Sequence, residues 1–194
     1  MGITGSIASG KSEVSGYFES KGYPAIYEDE VGHQALLDPR ILKETVRSFG
    51  KGILGAHGNI DRKALGRIVF EDPLALRLLN DIVHTWMIAQ TLARFDALEK
   101  DRHPLVFLEA AILFEMGLDQ HVDSIVFVDA PRKTRIQRLM SSRDYDIVEA
   151  ERRVKAQRIR QYKAKSHYVI SNEGTLETLY RRCDRVLSAL LASG

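Results

Sequence analysis

The chain has 194 residues, 44% of them hydrophobic and 28% charged, with a formal net charge of +2 at neutral pH. That length suits one globular domain with a real core, and so small a net charge gives no electrostatic case for a nucleic-acid partner. The single cysteine, Cys183, excludes an internal disulfide and suits a reducing compartment, and no apolar run is long enough to cross a bilayer. A cytoplasmic protein is expected.

In chain order, "MGIT" reads as a short strand, and "GSIASGKS" follows it from Gly5 to Ser12. The pattern is G-x-x-x-x-G-K-[ST], whose physics is phosphate binding. Gly5 and Gly10 permit backbone angles that let successive N–H groups turn inward around an anion. Lys11 supplies a point charge for the β- and γ-phosphates, the Ser12 hydroxyl is a ligand for Mg²⁺, and the helix opening there adds N–H groups and a positive dipole end. The expected nucleotide-binding set is therefore Gly5, Ser6, Ile7, Ala8, Ser9 and Gly10 of the loop, then Lys11, Ser12 and Glu13. "SEVSGYFESKG" reads as the helix that the motif requires next, with Val14, Tyr17 and Phe18 on one face.

"YPAIY" is a second strand, and "IYEDE" puts Glu28, Asp29 and Glu30 at its carboxyl end, where ligands of an α/β sheet sit. Alternation along an extended segment would point Glu28 and Glu30 away from Asp29. "DPRILKETVRSFG" is a helix with Asp38 as N-cap, Pro39 at N1 and Gly50 at its end. A helical insertion is expected over about 58–103. In it Asp61 caps one helix, Asp72-Pro73 opens "LALRLLNDIVH", and a separate longer helix runs through "WMIAQTLARFDALEK".

Near-continuous apolar runs at 104–110 and 123–130 read as buried parallel strands. Pro131 starts the helix "RKTRIQRLMSSR", and Asp146 with Glu149 forms a capping box for one long basic helix through about Tyr162. A lid is expected over about 132–162; its run "ERRVKAQRIRQYKAK" carries seven Lys or Arg against one Glu. Arg143, at the turn between the two helices, is placed to reach a transferring phosphoryl group. "YVIS" is a last strand and "TLETLYRRCDRVLSALLA" a closing helix, with Cys183 spaced for packing. Strands separated by helices, with a phosphate loop after the first, predict an α/β protein: a three-layer P-loop kinase fold around a central parallel sheet, forming one domain over 1–194.

Seven ordered segments resemble the dephospho-CoA kinase family. They are "TGSIASGKS"; "GYPAIYED"; "IDRKALGRIVF" through Arg62, Leu65, Val69 and Phe70; "LNDIVHTW" through Asn80 and His84; "LEAAILFE" through Glu109, Leu113, Phe114 and Glu115; "RRVKAQ" through Arg153 and Gln157; and "YVISNEG" through Asn172 and Gly174. The resemblance implies transfer of phosphate from ATP, with Mg²⁺, to the ribose 3′-hydroxyl of dephospho-CoA, the last step of coenzyme A synthesis. It implies that Asp29 is the catalytic base beside Lys11 and Arg143, and that Asn172 and Arg143 join the nucleotide site. It also implies that Asp29, Arg62, His84, Glu109 and Arg153 face the substrate, Arg153 perhaps also neutralising charge as the lid closes. For Glu109, holding a Mg²⁺-bound water and capping the next turn are equal readings. For His84, a structural histidine at a helix end is the competing one. The chain departs from the family pattern at Ser6 and Ala8, where glycine is preferred but the loop does not demand it, and at Glu13, Tyr27, His33, Thr85 and Ala111. Thr85 and Ala111 stand in place of prolines. Two other readings stay open: another small-molecule or nucleoside monophosphate kinase, and a nucleotide-binding homologue impaired in catalysis. A monomer or weak homo-oligomer is expected, with no membrane partner.

Overall fold

A computed structural model describes residues 1–193 apart from Asp144 and Arg158, with the backbone alone at residues 143, 159, 160 and 193. Five strands form one sheet in the order β2-β3-β1-β4-β5: β1 Gly2–Gly5, β2 Ala25–Tyr27, β3 Phe107–Glu109, β4 Ile125–Asp129 and β5 Tyr168–Ser171. β1 pairs in parallel with β3 on one side and β4 on the other, so Ile3 lies opposite both Glu109 and Val126. The carboxyl ends of three neighbouring strands thus converge where the glycine loop leaves β1. That edge is where parallel α/β sheets hold ligands. The helices are α1 Lys11–Ser20, α2 Glu28–Ala35, α3 Pro39–Phe49, α4 Arg62–Glu71, α5 Pro73–Lys100, α6 Arg132–Arg143, α7 Ile147–Ala156, α8 Ile159–Lys165 and α9 Leu176–Ser193. None of the described helices is long and apolar enough to cross a membrane.

The chain divides into two compact units, residues 1–26 with 98–194, and residues 27–97. In the first, Ile3, Phe107, Val126, Val128 and Ile170 of the sheet pack against Val14 and Phe18 of α1 and Leu179, Cys183 and Val186 of α9. The alternate strand residues Leu108, Ile125 and Phe127 are buried as well, as expected for a parallel sheet covered on both faces. Phe18 and Phe107, both fully buried, stack at 4.3 Å. Burial pushes the Cys183 thiol up to about 12, consistent with a packing residue and not a nucleophile. In the second unit, Asp38 caps α3 by accepting from the Arg40 N–H at 2.8 Å and also accepts from Trp86 Nε1 at 3.0 Å. Asp61 caps α4 through the N–H groups of Lys63 and Ala64, and α4 buries Leu65 and Val69 against Ile53.

Four expectations need correction. The second strand stops at Tyr27 and α2 begins at Glu28, so the three acidic residues step about 100° apart around a helix instead of alternating. The two helices expected on either side of His84 are one, α5, of 28 residues. Thr85 is the reason: unlike proline it keeps its N–H, and its hydroxyl donates to the Asp81 carbonyl at 2.8 Å. The long basic helix is broken at Gln157, which is extended (φ −83°, ψ 134°), between α7 and α8. Only half of the capping box forms. Asp146 accepts from the Glu149 N–H at 2.8 Å, while the Glu149 side chain instead takes Arg152 and Arg153, each at 2.7 Å. Two charge-assisted bonds hold that carboxylate more strongly than one backbone N–H would.

Candidate active site

The glycine loop is positioned by its glycines. At Gly5 a Cβ would overlap the Val128 carbonyl oxygen across the β1–β4 pair. Gly10, at φ +90° as the N-cap of α1, has a backbone that side chains rarely adopt, and a Cβ there would overlap Asn172 Nδ2. Ala8 is a correction to the sequence reading: it sits at φ +56°, so the loop does favour glycine there, and alanine costs about 1–2 kcal/mol.

Three other segments hold the loop in this shape. Arg138 of α6 donates to the carbonyls of Ala8 (3.2 Å) and Ser9 (3.1 Å), and reaches the Asn172 side-chain oxygen at 3.4 Å. Asn172, just beyond β5 and buried, donates from Nδ2 to the Ser9 carbonyl at 2.7 Å, and its own N–H donates to the Asp129 carbonyl at 2.6 Å. Gln157, at the break after α7, accepts the Ile7 N–H at 2.8 Å. Ile7 and Ala8 pack on the small core of Ile136, Leu139, Ala150 and Val154. Arg138 escaped the sequence reading because nothing in a basic helix marks which arginine turns inward. Gln157 was visible only as part of a resemblance, without a role.

Past the loop, Lys11 Nζ lies 3.5 Å from the carbonyls of Gly5 and Ser6. The Ser12 hydroxyl donates to Glu109 Oε1 at 2.9 Å, which brings an acidic oxygen from the end of β3 to the start of α1. Glu13 is turned toward α9, where Oε1 accepts the Tyr180 hydroxyl at 2.5 Å. That hydrogen bond, then burial, raises the Tyr180 phenol above its usual range. Tyr180 in turn stacks on Tyr17 at 4.2 Å. Beside Gly5 and Ser6 opens a cavity of about 460 Å³, whose other walls include Ile112, Glu115, Phe127, Gln157 and Tyr162.

The remaining expected residues fall as follows. Asp29 is exposed in the first turn of α2. Its neighbour Glu28 is 2% exposed and accepts the Thr91 hydroxyl at 2.8 Å; burial raises its pKa despite that bond and the pull of Arg94. Arg62 is exposed at the start of α4. His84 is half-buried in the middle of α5, not at a helix end, and burial lowers its pKa against the attraction of Asp81. Arg153 is held by Glu149 at 2.7 Å and lies over the Tyr145 ring at 4.5 Å, so its charge is already matched. The Arg143 side chain lies outside the described residues.

A strand, a glycine-rich loop and a helix on a parallel sheet, with a lysine curled over the loop and a serine–glutamate pair at its exit, define a P-loop kinase. The family model of dephospho-CoA kinase matches residues 1–178. The dephospho-CoA kinase of Anaeromyxobacter dehalogenans is 35% identical, covering 98% of this chain and 91% of its own. A crystal structure from Thermus thermophilus superposes with a TM-score of 0.82 at 35% identity, covering 99% of this chain and 95% of that one. Dephospho-CoA kinase from Campylobacter jejuni superposes with a TM-score of 0.73 at 26% identity, covering 97% and 95%. The chain belongs to the dephospho-CoA kinase family.

Proposed function

We propose that this protein transfers the γ-phosphoryl group of ATP to the ribose 3′-hydroxyl of dephospho-CoA, completing coenzyme A. The observation that carries the reading is the loop Gly5–Ser12 with Glu109 drawn onto Ser12, in a chain of this family. Lys11 and the backbone N–H groups at the start of α1 hold the phosphate chain of ATP. Ser12 and Glu109 offer two oxygen donors side by side, the hard ligands that suit Mg²⁺, with phosphate and water oxygens completing its shell. The ion would neutralise charge on the phosphate oxygens.

Asp29 accepts the proton of the 3′-hydroxyl as that oxygen attacks the γ-phosphorus in line. One P–O bond forms to the ribose, the bond to the β,γ-bridging oxygen breaks, and ADP leaves. Arg143, at the end of α6, and Arg138, beside the loop, are the cations of the lid and loop available to the developing charge. The helical residues about 58–103, with Arg62 and His84, bind the acceptor, and residues about 132–162 close as a lid.

The test is ADP release with and without dephospho-CoA, in wild type and in Asp29→Asn. Acceptor-dependent release that falls about 10²–10⁴-fold in the variant, the usual range for loss of a general base, supports the assignment. Release that ignores dephospho-CoA refutes the activity. A dead Glu28→Gln beside an active Asp29→Asn moves the base to Glu28.

A further inference from the structure

Helix α4 has a face that its own unit leaves uncovered. Leu65 and Val69 point into the core with Ile53, and the helical repeat of i, i+4 sends two adjacent rows outward: Arg62–Gly66–Phe70 and Lys63–Arg67–Glu71. These six residues line an open groove of about 840 Å³. Phe70 is 82% exposed, an unusual position for a phenylalanine. Its ring lies against the helix at Gly66, where a Cβ would meet it at 3.5 Å, so one ring face rests on the backbone and the other looks outward. Among the described residues Arg62, Lys63 and Arg67 form no ion pair. The groove therefore sets three cations against one carboxylate around an uncovered aromatic ring.

The geometry points to this groove as the binding site for the part of the acceptor that does not react, its 5′-pyrophosphate and pantetheine arm. The inference rests on the activity proposed above and deepens it. Phosphate goes to the ribose, so the adenosine is committed to the transfer centre. What remains is a doubly anionic linker joined to a branched, largely apolar acyl chain. Lys63 and Arg67 with Arg62 match the anionic linker, and Phe70 over Gly66 matches the apolar chain. Binding energy from such a remote part of a substrate is what lets an enzyme select it over a truncated analogue.

The experiment compares two acceptors that share the 3′-hydroxyl, dephospho-CoA and 5′-AMP, with 4′-phosphopantetheine as a competitive inhibitor lacking the adenosine. In Arg67→Ala and Phe70→Ala, kcat/KM for dephospho-CoA should fall about 5–30-fold, the factor for one or two lost contacts. The loss should lie in KM, with 5′-AMP unaffected and the inhibition constant of phosphopantetheine raised in parallel. Gly66→Ala separates binding from folding, because alanine is the better helix former yet narrows the groove. It should raise the melting temperature while raising KM for dephospho-CoA. Unchanged KM for dephospho-CoA in all three variants, or equal losses for both acceptors, overturns the inference while leaving the activity standing. So does a change of sedimentation coefficient in Phe70→Ala without a change in KM, which would give the face to a second copy of the chain. Failure of wild type to phosphorylate dephospho-CoA refutes the activity itself.

Discussion

Gly10→Ala is expected to damage the nucleotide loop for two separable reasons. The backbone at φ +90° costs an alanine about 1–2 kcal/mol. The new methyl group also overlaps Asn172 Nδ2, which donates to the Ser9 carbonyl at 2.7 Å. Displacing that amide loses a hydrogen bond worth about 0.5–1.5 kcal/mol and leaves a buried donor unpaired, about 1–3 kcal/mol more. Asn172→Ala alone should be milder, about 1 kcal/mol, because the Ser9 carbonyl keeps Arg138 at 3.1 Å. The double variant escapes the overlap and retains only the backbone strain and the lost bond. It should be less destabilised than the sum of the singles by about 1–3 kcal/mol, a coupling well outside the additivity expected of independent sites. The assay is a double-mutant cycle of urea unfolding, repeated with calorimetric ATP affinity. Additivity within about 0.5 kcal/mol would mean that residues 10 and 172 do not meet, and would refute the description of the loop.

Ala8→Gly should stabilise the loop by up to about 1 kcal/mol, since glycine tolerates φ +56° at only a modest entropy cost; a lower melting temperature would deny the left-handed backbone. Glu28→Gln should raise stability at pH 7. Burial raises the Glu28 pKa above its ordinary 4.5, so stability is lost as pH rises from 4.5 through the folded pKa and then stays lost. The gain should therefore shrink as the pH approaches 4, and a gain independent of pH contradicts a buried, titrating Glu28. Thr85→Pro should cost about 3 kcal/mol and reduce helical ellipticity by breaking α5; an unchanged spectrum would mean that α5 is already interrupted there. Tyr180→Phe removes the donor to Glu13 and should weaken ATP binding by releasing a carboxylate toward the phosphates, an effect that Glu13→Gln should abolish.

The sequence alone determined the features that short-range physics fixes. The spacing of two glycines, a lysine and a serine after a short strand specified the phosphate loop. Apolar runs at 104–110 and 123–130 specified buried strands, and Asp38 and Asp61 marked helix starts, because caps, strands and loops of this kind depend on neighbours a few residues away. Tertiary structure decided the rest. Arg138, Gln157 and Asn172 reach the loop from residues more than 120 positions away, and no local pattern reveals which of several arginines will do so. Glu149 had two possible partners, and the arginines on the next turn won over the helix cap. The break at Gln157 lies in a run that reads as unbroken helix, since the bond that rewards it is made to Ile7, on a segment 150 residues earlier. The strain at Ala8 likewise belongs to the closed shape of the loop: alanine carries no sign of the positive φ imposed on it by carbonyls tied to α6 and β5.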